Sequence, residues 1–218
     1  MTAIDKPVRE GSLVKRAAIL AAARDLFLRD GFERTSMDAV AAQAKVSKRT
    51  VYDYYGDKRR LLQGVVEDAA ESLVRSLRKA LAEHLSDDPP IGTAQELESA
   101  LTAFAIDLGE NVIASADYAT VFTLMGEQRV QLPELESPLL LSAMLEDPIG
   151  ERLAHFHERG LLNAPDSRLA ADQLNALTTL LVNNSQPDPI NLDLKSVRRT
   201  MTEGVRTFMR AYAAQRRM

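Results

Sequence analysis

The sequence lacks cysteine altogether and contains only three histidines among its 218 residues. The absence of cysteine excludes disulfide bonds, thiolate nucleophiles, iron–sulfur clusters and cysteine-ligated zinc. With so few histidines, we expect no dedicated metal site. The sequence also lacks a phosphate-binding glycine loop, a Gly-x-Ser-x-Gly elbow and a His-Glu-x-x-His motif. We therefore predict that the protein is not an enzyme and has no cofactor.

Glycine, proline and aromatic residues are also scarce, at 10 residues, 9 residues and 5% of the chain, respectively. A composition dominated by alanine, leucine, arginine and glutamate favours helix over strand. No run of 18 apolar residues is present, and the N-terminus lacks the apolar segment of a signal peptide. We therefore expect an all-α, cytoplasmic protein with no membrane partner.

Charge is distributed unevenly along the chain. The formal net charge of the whole chain is −4, but residues 1–60 carry a net +5 and residues 61–218 carry a net −9. A basic N-terminal part on an acidic remainder indicates a polyanionic partner for the basic part alone.

Apolar spacing and cap residues predict a series of helices and two domains. Ile19, Ala22, Ala23, Leu26 and Phe27 form one apolar stripe, and Gly31 supplies a helix stop. Prolines separate the later helices, and we expect Pro148 to kink or split the helix that contains it. The predicted domains are a flexible arm at 1–11, a three-helix domain at 12–56 and a longer helical domain at 57–218. The predicted helices cover 12–30, 36–44, 47–54, 57–85, 93–113, 115–131, 136–160, 166–184 and 194–215.

The most informative segment runs from Thr35 to Lys58. It contains two short helices, capped by Ser36 and Ser47 and joined by Ala44-Lys45-Val46, which is the pattern of a helix-turn-helix. The second helix keeps a polar face of basic and hydroxyl side chains. Such a helix suits a DNA major groove, because its first turn reaches base edges while flanking groups hold phosphates.

This segment resembles the TetR/AcrR family of bacterial one-component transcriptional regulators. The resemblance covers about residues 15–65. It rests on Arg16-Ala17-Ala18-Ile19-Leu20, Leu26-Phe27, Gly31-Phe32, Thr35-Ser36-Met37, Val46-Ser47-Lys48-Arg49-Thr50-Val51-Tyr52, Lys58 and Leu61-Leu62. The main departure is Tyr55, where the family usually has phenylalanine. For the rest of the chain, the resemblance implies only an all-helical dimerisation and effector domain.

Individual roles in DNA binding follow from side-chain chemistry. The Arg49 guanidinium can pair bidentately with guanine, and Lys48 can contact a base or a phosphate. Lys58 lies at a helix N-terminus, which favours an anion, and the resemblance also implies a phosphate contact there. The hydroxyls that can donate hydrogen bonds to phosphates are those of Thr35, Ser36, Ser47, Thr50, Tyr52 and Tyr54. The alternatives are that the two serines are only helix caps, that Tyr52 and Tyr54 pack the domain edge, and that Lys48 and Arg49 are merely solvated. Tyr55 is expected to face inward.

The last two predicted helices carry apolar seams. The resemblance implies that these helices from two chains form a four-helix dimer interface, and a symmetric DNA site also requires a dimer. The alternative is that the seams are core within one chain. The candidate interface residues are Leu174, Leu177, Leu181, Val197, Met201, Gly204, Val205 and Phe208.

Methionine and phenylalanine residues of the central helices suggest an adaptable apolar cavity for a small hydrophobic or aromatic effector. The candidates are Phe104, Leu108, Phe122, Met125 and Met144, and the alternative for each of them is ordinary core. We therefore predict a dimeric regulator of a palindromic DNA operator, most simply a repressor released by that effector. The alternatives are an activator or other regulator without a small-molecule effector, and a helical protein that associates with DNA as a positioning factor.

Overall fold

The computed structural model describes residues 10–88, 90–128, 137–189 and 191–214. These residues form helices, and the only extended pairing among them is one backbone bridge between Leu162 and Ala213. The predicted all-α class is therefore confirmed. The α-helices are α1 (Glu10–Asp30), α2 (Met37–Gln43), α3 (Lys48–Tyr55), α4 (Lys58–His84), α5 (Ala94–Asp107), α6 (Ala116–Gln128), α7 (Ser137–Glu158), α8 (Ser167–Asn175), α9 (Leu181–Ser185) and α10 (Leu194–Tyr212). Two short π-helical segments are π1 (Leu108–Ile113) and π2 (Ala176–Leu180).

The chain divides into two compact units. The first unit comprises the chain up to Ala69 and the part of α6 that begins at Thr123. The second unit comprises Ala70–Phe122 and the chain from Glu136 onwards. The first unit therefore includes the beginning of α4 together with α1, α2 and α3. Among the described residues, no helix has the length and apolar character needed to cross a membrane.

The core of the first unit is built on the apolar stripe of α1. Ile19, Ala23 and Phe27 of this helix are at most 1% exposed, and Val40 of α2 and Val51 of α3 pack into the same cluster. Gly31 ends α1 in the left-handed conformation, with φ of 83°. A glycine adopts this conformation without the steric cost of a side chain, and the Gly31 amide donates to the Phe27 carbonyl at 3.0 Å.

In the second unit, α10 contacts both π-helical segments, and a glycine allows close packing at each contact. At π1, a Cβ on Gly109 would lie 2.7 Å from Val197 Cγ1, and at π2 a Cβ on Gly204 would overlap the Leu177 carbonyl oxygen. Four apolar side chains of α10, those of Val197, Met201, Val205 and Phe208, are completely buried in this core. The second unit therefore depends on α10 for much of its own core.

Three predicted helices differ in detail from the structure. The predicted helix at 93–113 is an α-helix (α5) only up to Asp107 and then continues as π1. The predicted helix at 166–184 is interrupted by π2. A single residue inserted into the hydrogen-bonding pattern of a helix has no signature in apolar spacing, so these π segments were not predicted. Helix α7 continues through Pro148, so the predicted split does not occur. The neighbouring Ile149 and Leu153 are buried, and the free energy gained by their packing offsets the loss of the helical hydrogen bond that proline cannot make.

Candidate nucleic-acid interface

Helices α2 and α3 form the helix-turn-helix, and each begins at a serine cap. Ser36 Oγ accepts a hydrogen bond from the Ala39 amide at 3.1 Å, and Ser47 Oγ accepts one from the Thr50 amide at 3.0 Å. Lys45, in the turn between the helices, has φ of 55° and reverses the chain. A serine hydroxyl that accepts at a cap retains its own proton. Capping and phosphate donation by Ser36 and Ser47 are therefore compatible.

Helix α3 has one buried face and one exposed face. Val51 is completely buried, and Tyr55 is 9% exposed in the core of the first unit, which confirms that Tyr55 faces inward. Lys48, Arg49 and Tyr52 are exposed on the rest of the helix surface. An exposed row of a cation, a guanidinium and an aromatic hydroxyl at the start of a short helix suits major-groove contact.

The two cations of this face differ in how firmly they are held. Lys48 Nζ lies 2.8 Å from Asp38 Oδ1 of α2, and the hydrogen bond to this carboxylate raises the pKa of Lys48. The Arg49 side chain is 90% exposed, and its ion pair with Asp53 is long, at 3.8 Å. Arg49 therefore offers a free guanidinium fork, whereas Lys48 must give up a hydrogen bond to reach a base or a phosphate. Asp38 was missed by the sequence analysis, because only the tertiary structure brings it to Lys48.

The hydroxyls that were predicted to bind phosphates fall into two groups. Ser36, Ser47 and Tyr52 are exposed, Thr50 is half-buried, and their phosphate contacts stay predictions. Thr35 is only 4% exposed, and its Oγ1 donates within the chain to the Gly31 carbonyl at 2.9 Å. Tyr54 donates its one proton to the Ser12 carbonyl at 3.1 Å, tying α3 to α1. Thr35 and Tyr54 therefore have no free proton for a phosphate, and the structure corrects both assignments.

Lys58 also has partners within its own chain. Its ammonium donates to the carbonyls of Phe32, Glu33 and Thr35 at 2.9, 3.1 and 3.1 Å, and it lies 4.4 Å from the centre of the Phe32 ring. An ammonium has three protons, so all of its donors are used within the chain. To contact a phosphate, Lys58 would have to give up one of these hydrogen bonds, and that contact stays a prediction. In the structure, Lys58 joins the start of α4 to the loop between α1 and α2.

We expect Lys58→Met to destabilise the protein by about 2 kcal/mol, because it removes three charge-assisted hydrogen bonds and keeps the apolar stem. The melting temperature, followed by circular dichroism, should fall by roughly 4–8 °C. The matched control is Lys79→Met on the same helix, where the side chain is exposed and has no partner among the described residues. Lys79→Met should change stability by less than about 0.5 kcal/mol. A Lys58→Met variant that melts like the wild type would contradict this role.

The residues predicted to form a dimer interface are mostly core of their own chain. Leu174, Val197, Met201, Val205 and Phe208 are at most 4% exposed. Gly204 is buried against the backbone of Leu177, so it also lies inside the unit. The structure thus corrects six of the eight assignments and leaves Leu177, whose side chain is partly buried, and Leu181, which is 46% exposed. The stripes were recognised correctly as buried, but their partner is the same chain.

The three predicted effector residues whose side chains the structure describes do not line one cavity. Phe104 is 2% exposed within the core of the second unit, and Leu108 packs against the same core from π1. Phe122 is 45% exposed and stacks on Tyr118 with ring centres 6.0 Å apart, so the structure corrects its place in an enclosed cavity. The side chains of Met125 and Met144 lie outside the described part of the structure.

Within the described ranges, one group of side chains has the proximity required to hold a metal ion. The ligand atoms of Glu83, His84 and Asp107 lie within 4.8 Å of one another. However, His84 Nε2 is already 3.0 Å from Asp107 Oδ2, and Asn111 donates to the other oxygen of Asp107 at 2.6 Å. His84 and Asn111 thus satisfy Asp107, and the His84–Asp107 pair joins the ends of α4 and α5, so we assign no ion to this group.

The match to a known protein family lies within the first unit. The family model described as "Bacterial regulatory proteins, tetR family" matches residues 19–65, which contain α2, α3 and the start of α4. The DNA-binding transcriptional repressor TetR of Mycobacteroides abscessus is 42% identical over 53 residues, which is 24% of this chain and 28% of that protein. The transcriptional activator FasR of Mycolicibacterium smegmatis is 29% identical over 111 residues, 49% of this chain and 48% of that protein. The chain spans about a quarter to a half of the length of these relatives.

Solved structures match almost the whole chain. A putative TetR-family regulator from Mesorhizobium loti has a TM-score of 0.78 and 22% identity, covering 91% of this chain and 96% of that one. SmeT, the repressor of a Stenotrophomonas maltophilia efflux pump, has a TM-score of 0.63 and 21% identity, covering 91% of this chain and 90% of that one. At these identities the similarity establishes the fold.

The helix-turn-helix segment thus matches bacterial regulatory proteins, and the fold matches solved structures of TetR-family regulators. Residues 19–65 match the family model of the tetR family of bacterial regulatory proteins, as the resemblance predicted.

Proposed function

We propose that this protein is a dimeric, sequence-specific DNA-binding regulator that inserts α3 into the major groove. The observation that carries the proposal is the exposed face of α3, on which Lys48, Arg49 and Tyr52 are presented while Val51 and Tyr55 anchor the helix in the core. Arg49 is the base-reading residue in this proposal, because its fork is free and exposed. The net charge of +5 over residues 1–60 supports an anionic partner for the same unit.

The proposal is tested by selecting binding sites for the full chain from a random DNA library. We expect enrichment of a palindrome whose half-sites lie about one helical turn apart, bound at least about 1,000-fold more tightly than random DNA. The salt dependence of binding, measured by fluorescence anisotropy, should be steep, since cations on the protein displace counterions from phosphates. A protein that binds random and selected DNA equally would overturn sequence-specific recognition.

The dimer is proposed on the first of the two predicted interface helices, through the side chains that the structure leaves exposed. The face of α8, π2 and α9 that turns away from α10 exposes apolar side chains at Leu169, Ala176, Leu180 and Leu181. Leu169, Ala176 and Leu180 are spaced by seven and four residues, which places them along one side of the continuous helix formed by α8, π2 and α9. A row of exposed leucines is costly in water and suits the same row on a second copy about a two-fold axis.

We expect Leu180→Asp to raise the dimer dissociation constant at least about 30-fold, because it places a charge in the apolar centre of the proposed interface. Light scattering over a range of protein concentrations measures this change. Leu194→Asp is the matched control, since Leu194 is 46% exposed and Leu180 is 49% exposed. If the Leu194→Asp variant were monomeric while the Leu180→Asp variant remained dimeric, the interface would lie elsewhere.

Repression and release by a small molecule are the finer parts of the proposal. The relatives include a repressor and an activator, and one structural neighbour, SmeT, is known in complex with triclosan. We favour a repressor with a hydrophobic effector. A promoter fused to a reporter decides between repression and activation when the gene for this chain is deleted. A count of occupied sites in the genome separates a regulator, which occupies few sites, from a positioning factor, which occupies many.

A further inference from the structure

The second unit contains a groove between α4 and α7 with a volume of about 710 Å³. Val74, Leu81 and Leu85 line it from the α4 side, and Pro148 lines it from α7. Its polar lining includes Arg78 of α4 and Arg152 of α7, together with Asp87 from the segment that follows α4. The α4–α7 groove thus combines an apolar wall with two guanidinium groups, an arrangement that suits an amphipathic ligand.

The Arg152 guanidinium is incompletely satisfied. Its two terminal nitrogens reach the Asp87 carboxylate at 3.4 and 3.3 Å, which is long for a charge-assisted hydrogen bond. Its Nε is buried and has no hydrogen-bond partner among the described residues. The guanidinium lies 5.0 Å from the centre of the Phe156 ring, so it is held in place by packing. Arg152 is therefore a fixed cation with spare hydrogen-bonding capacity.

Asp87 is the shared partner of the basic side chains at this end of the groove, although it is exposed. Its Oδ1 lies 2.9 Å from His155 Nε2 and 3.6 Å from a terminal nitrogen of Arg159. The Arg152 hydrogen bond, followed by the charges of Arg152 and His155, lowers the pKa of Asp87. However, its side chain is 56% exposed and stands on the short segment between α4 and α5. The site thus holds a carboxylate that the solvent and a competing anion can reach.

We propose that the α4–α7 groove binds a small amphipathic monocarboxylate, whose carboxylate takes the place of Asp87 on Arg152 and His155. The apolar part of the ligand then lies along Leu81, Leu85 and Pro148, and Arg78 supplies a second cation. Arg78 is exposed and has no partner among the described residues. Glu151, which is exposed at the groove, disfavours a second negative charge on the ligand.

A regulatory role for this ligand rests on the proposed function, but its binding does not. The same continuous helix, α4, carries Lys58 at its start and lines the groove with its later residues. A ligand changes DNA affinity only as far as it prefers one of two protein states. If DNA binding is confirmed, we infer that the monocarboxylate is the effector.

Binding is tested by calorimetry of the full chain without DNA, with 4-phenylbutyrate as the probe and the neutral 4-phenylbutanol as its matched compound. We expect 4-phenylbutyrate to bind with a dissociation constant of roughly 0.1–1 mM, and 4-phenylbutanol at least about tenfold more weakly. Arg152→Gln should weaken 4-phenylbutyrate binding at least about tenfold, because it removes the guanidinium fork. Asp87→Asn should strengthen it by about threefold or more, because it removes the internal competitor.

The control is Arg198→Gln, which removes another guanidinium that is paired bidentately, here with Glu110 at 2.9 Å, and which does not line the groove. It should leave the affinity unchanged. Equal binding of the acid and the alcohol, or wild-type affinity in Arg152→Gln, would overturn the proposal. Asp87→Asn keeps the test decisive if Arg152→Gln fails to fold, since unchanged or weaker binding by Asp87→Asn would also overturn it.

A second measurement separates the ligand site from the proposed function. The complex with a selected DNA site is titrated with 4-phenylbutyrate, and we expect release from the wild type but not from Arg152→Gln. Calorimetric binding without any effect on the DNA complex would overturn the effector role alone. Failure to select any DNA site would overturn the proposed function and leave the calorimetric result standing.

Discussion

Replacing Gly204 with alanine is expected to destabilise the protein by about 3 kcal/mol. The added Cβ would overlap the Leu177 carbonyl oxygen and lie 2.8 Å from Thr178 Cγ2. A side-chain rotation cannot move a backbone oxygen, so α10 and π2 must separate, and the buried side chains of α10 lose contacts on both sides. For a chain of this length, the melting temperature should fall by roughly 6–12 °C.

Gly150→Ala is the matched control for this prediction. Gly150 also lies within a helix, α7, but a Cβ there would meet its neighbours at 3.7 Å or more, which is ordinary contact. Alanine in a helix interior is favoured over glycine by about 1 kcal/mol, so Gly150→Ala should be neutral or stabilising. Thermal denaturation followed by circular dichroism compares the two variants. Similar melting temperatures for both would show that the close approach of α10 to π2 is not required.

The second large effect is expected for base recognition. Arg49→Ala should remove discrimination at one base position in each half-site, which is worth about 1–3 kcal/mol per position. Arg49→Lys separates the two contributions of this side chain, because it keeps the charge and removes the planar fork. We expect Arg49→Lys to retain most of the affinity for random DNA but to lose the same discrimination.

Competition binding with single-base variants of the selected site provides the measurement. Arg29→Ala serves as the control, since Arg29 is exposed at the end of α1 and paired with Asp30 at 2.8 Å. Arg29→Ala removes one positive charge from the same unit, so any loss of affinity should be the same for all DNA sequences. If Arg49→Ala also weakened every sequence equally, Arg49 would be a phosphate contact and not a base reader.

The first unit was predicted well because its information is local. Helix caps, a turn and short apolar stripes act within a few residues, so Ser36, Ser47 and the inward Tyr55 could be assigned from their neighbours in the chain. The partners of Thr35, Tyr54 and Lys58 were not predicted. Each has a polar group that a phosphate could use, but their partners are the Gly31, Ser12 and Phe32 carbonyls. Only one of these partners lies within five residues along the chain, and spacing alone does not reveal the others.

The α4–α7 groove shows the same limit. Arg152 and His155 of α7 and Arg159, the first residue after this helix, are spaced by three and four residues, so their basic side chains follow one side of the helix end. Their shared partner, Asp87, lies 65 residues from Arg152 in the chain. The sequence therefore contained a signal for a basic face but none for the carboxylate that it holds.

The amino-acid sequence by itself determined the helical class, the helix-turn-helix and the residues that must be buried, because each depends on spacing and local conformational preference. The tertiary structure alone decided which surfaces the buried residues meet. An apolar stripe gains nearly the same free energy against its own chain as against a second copy, since the hydrophobic effect has no direction. For this reason Val197, Met201, Val205 and Phe208 could be recognised as buried, while their place in the core of the second unit emerged only from the packing of α10 against π1 and π2.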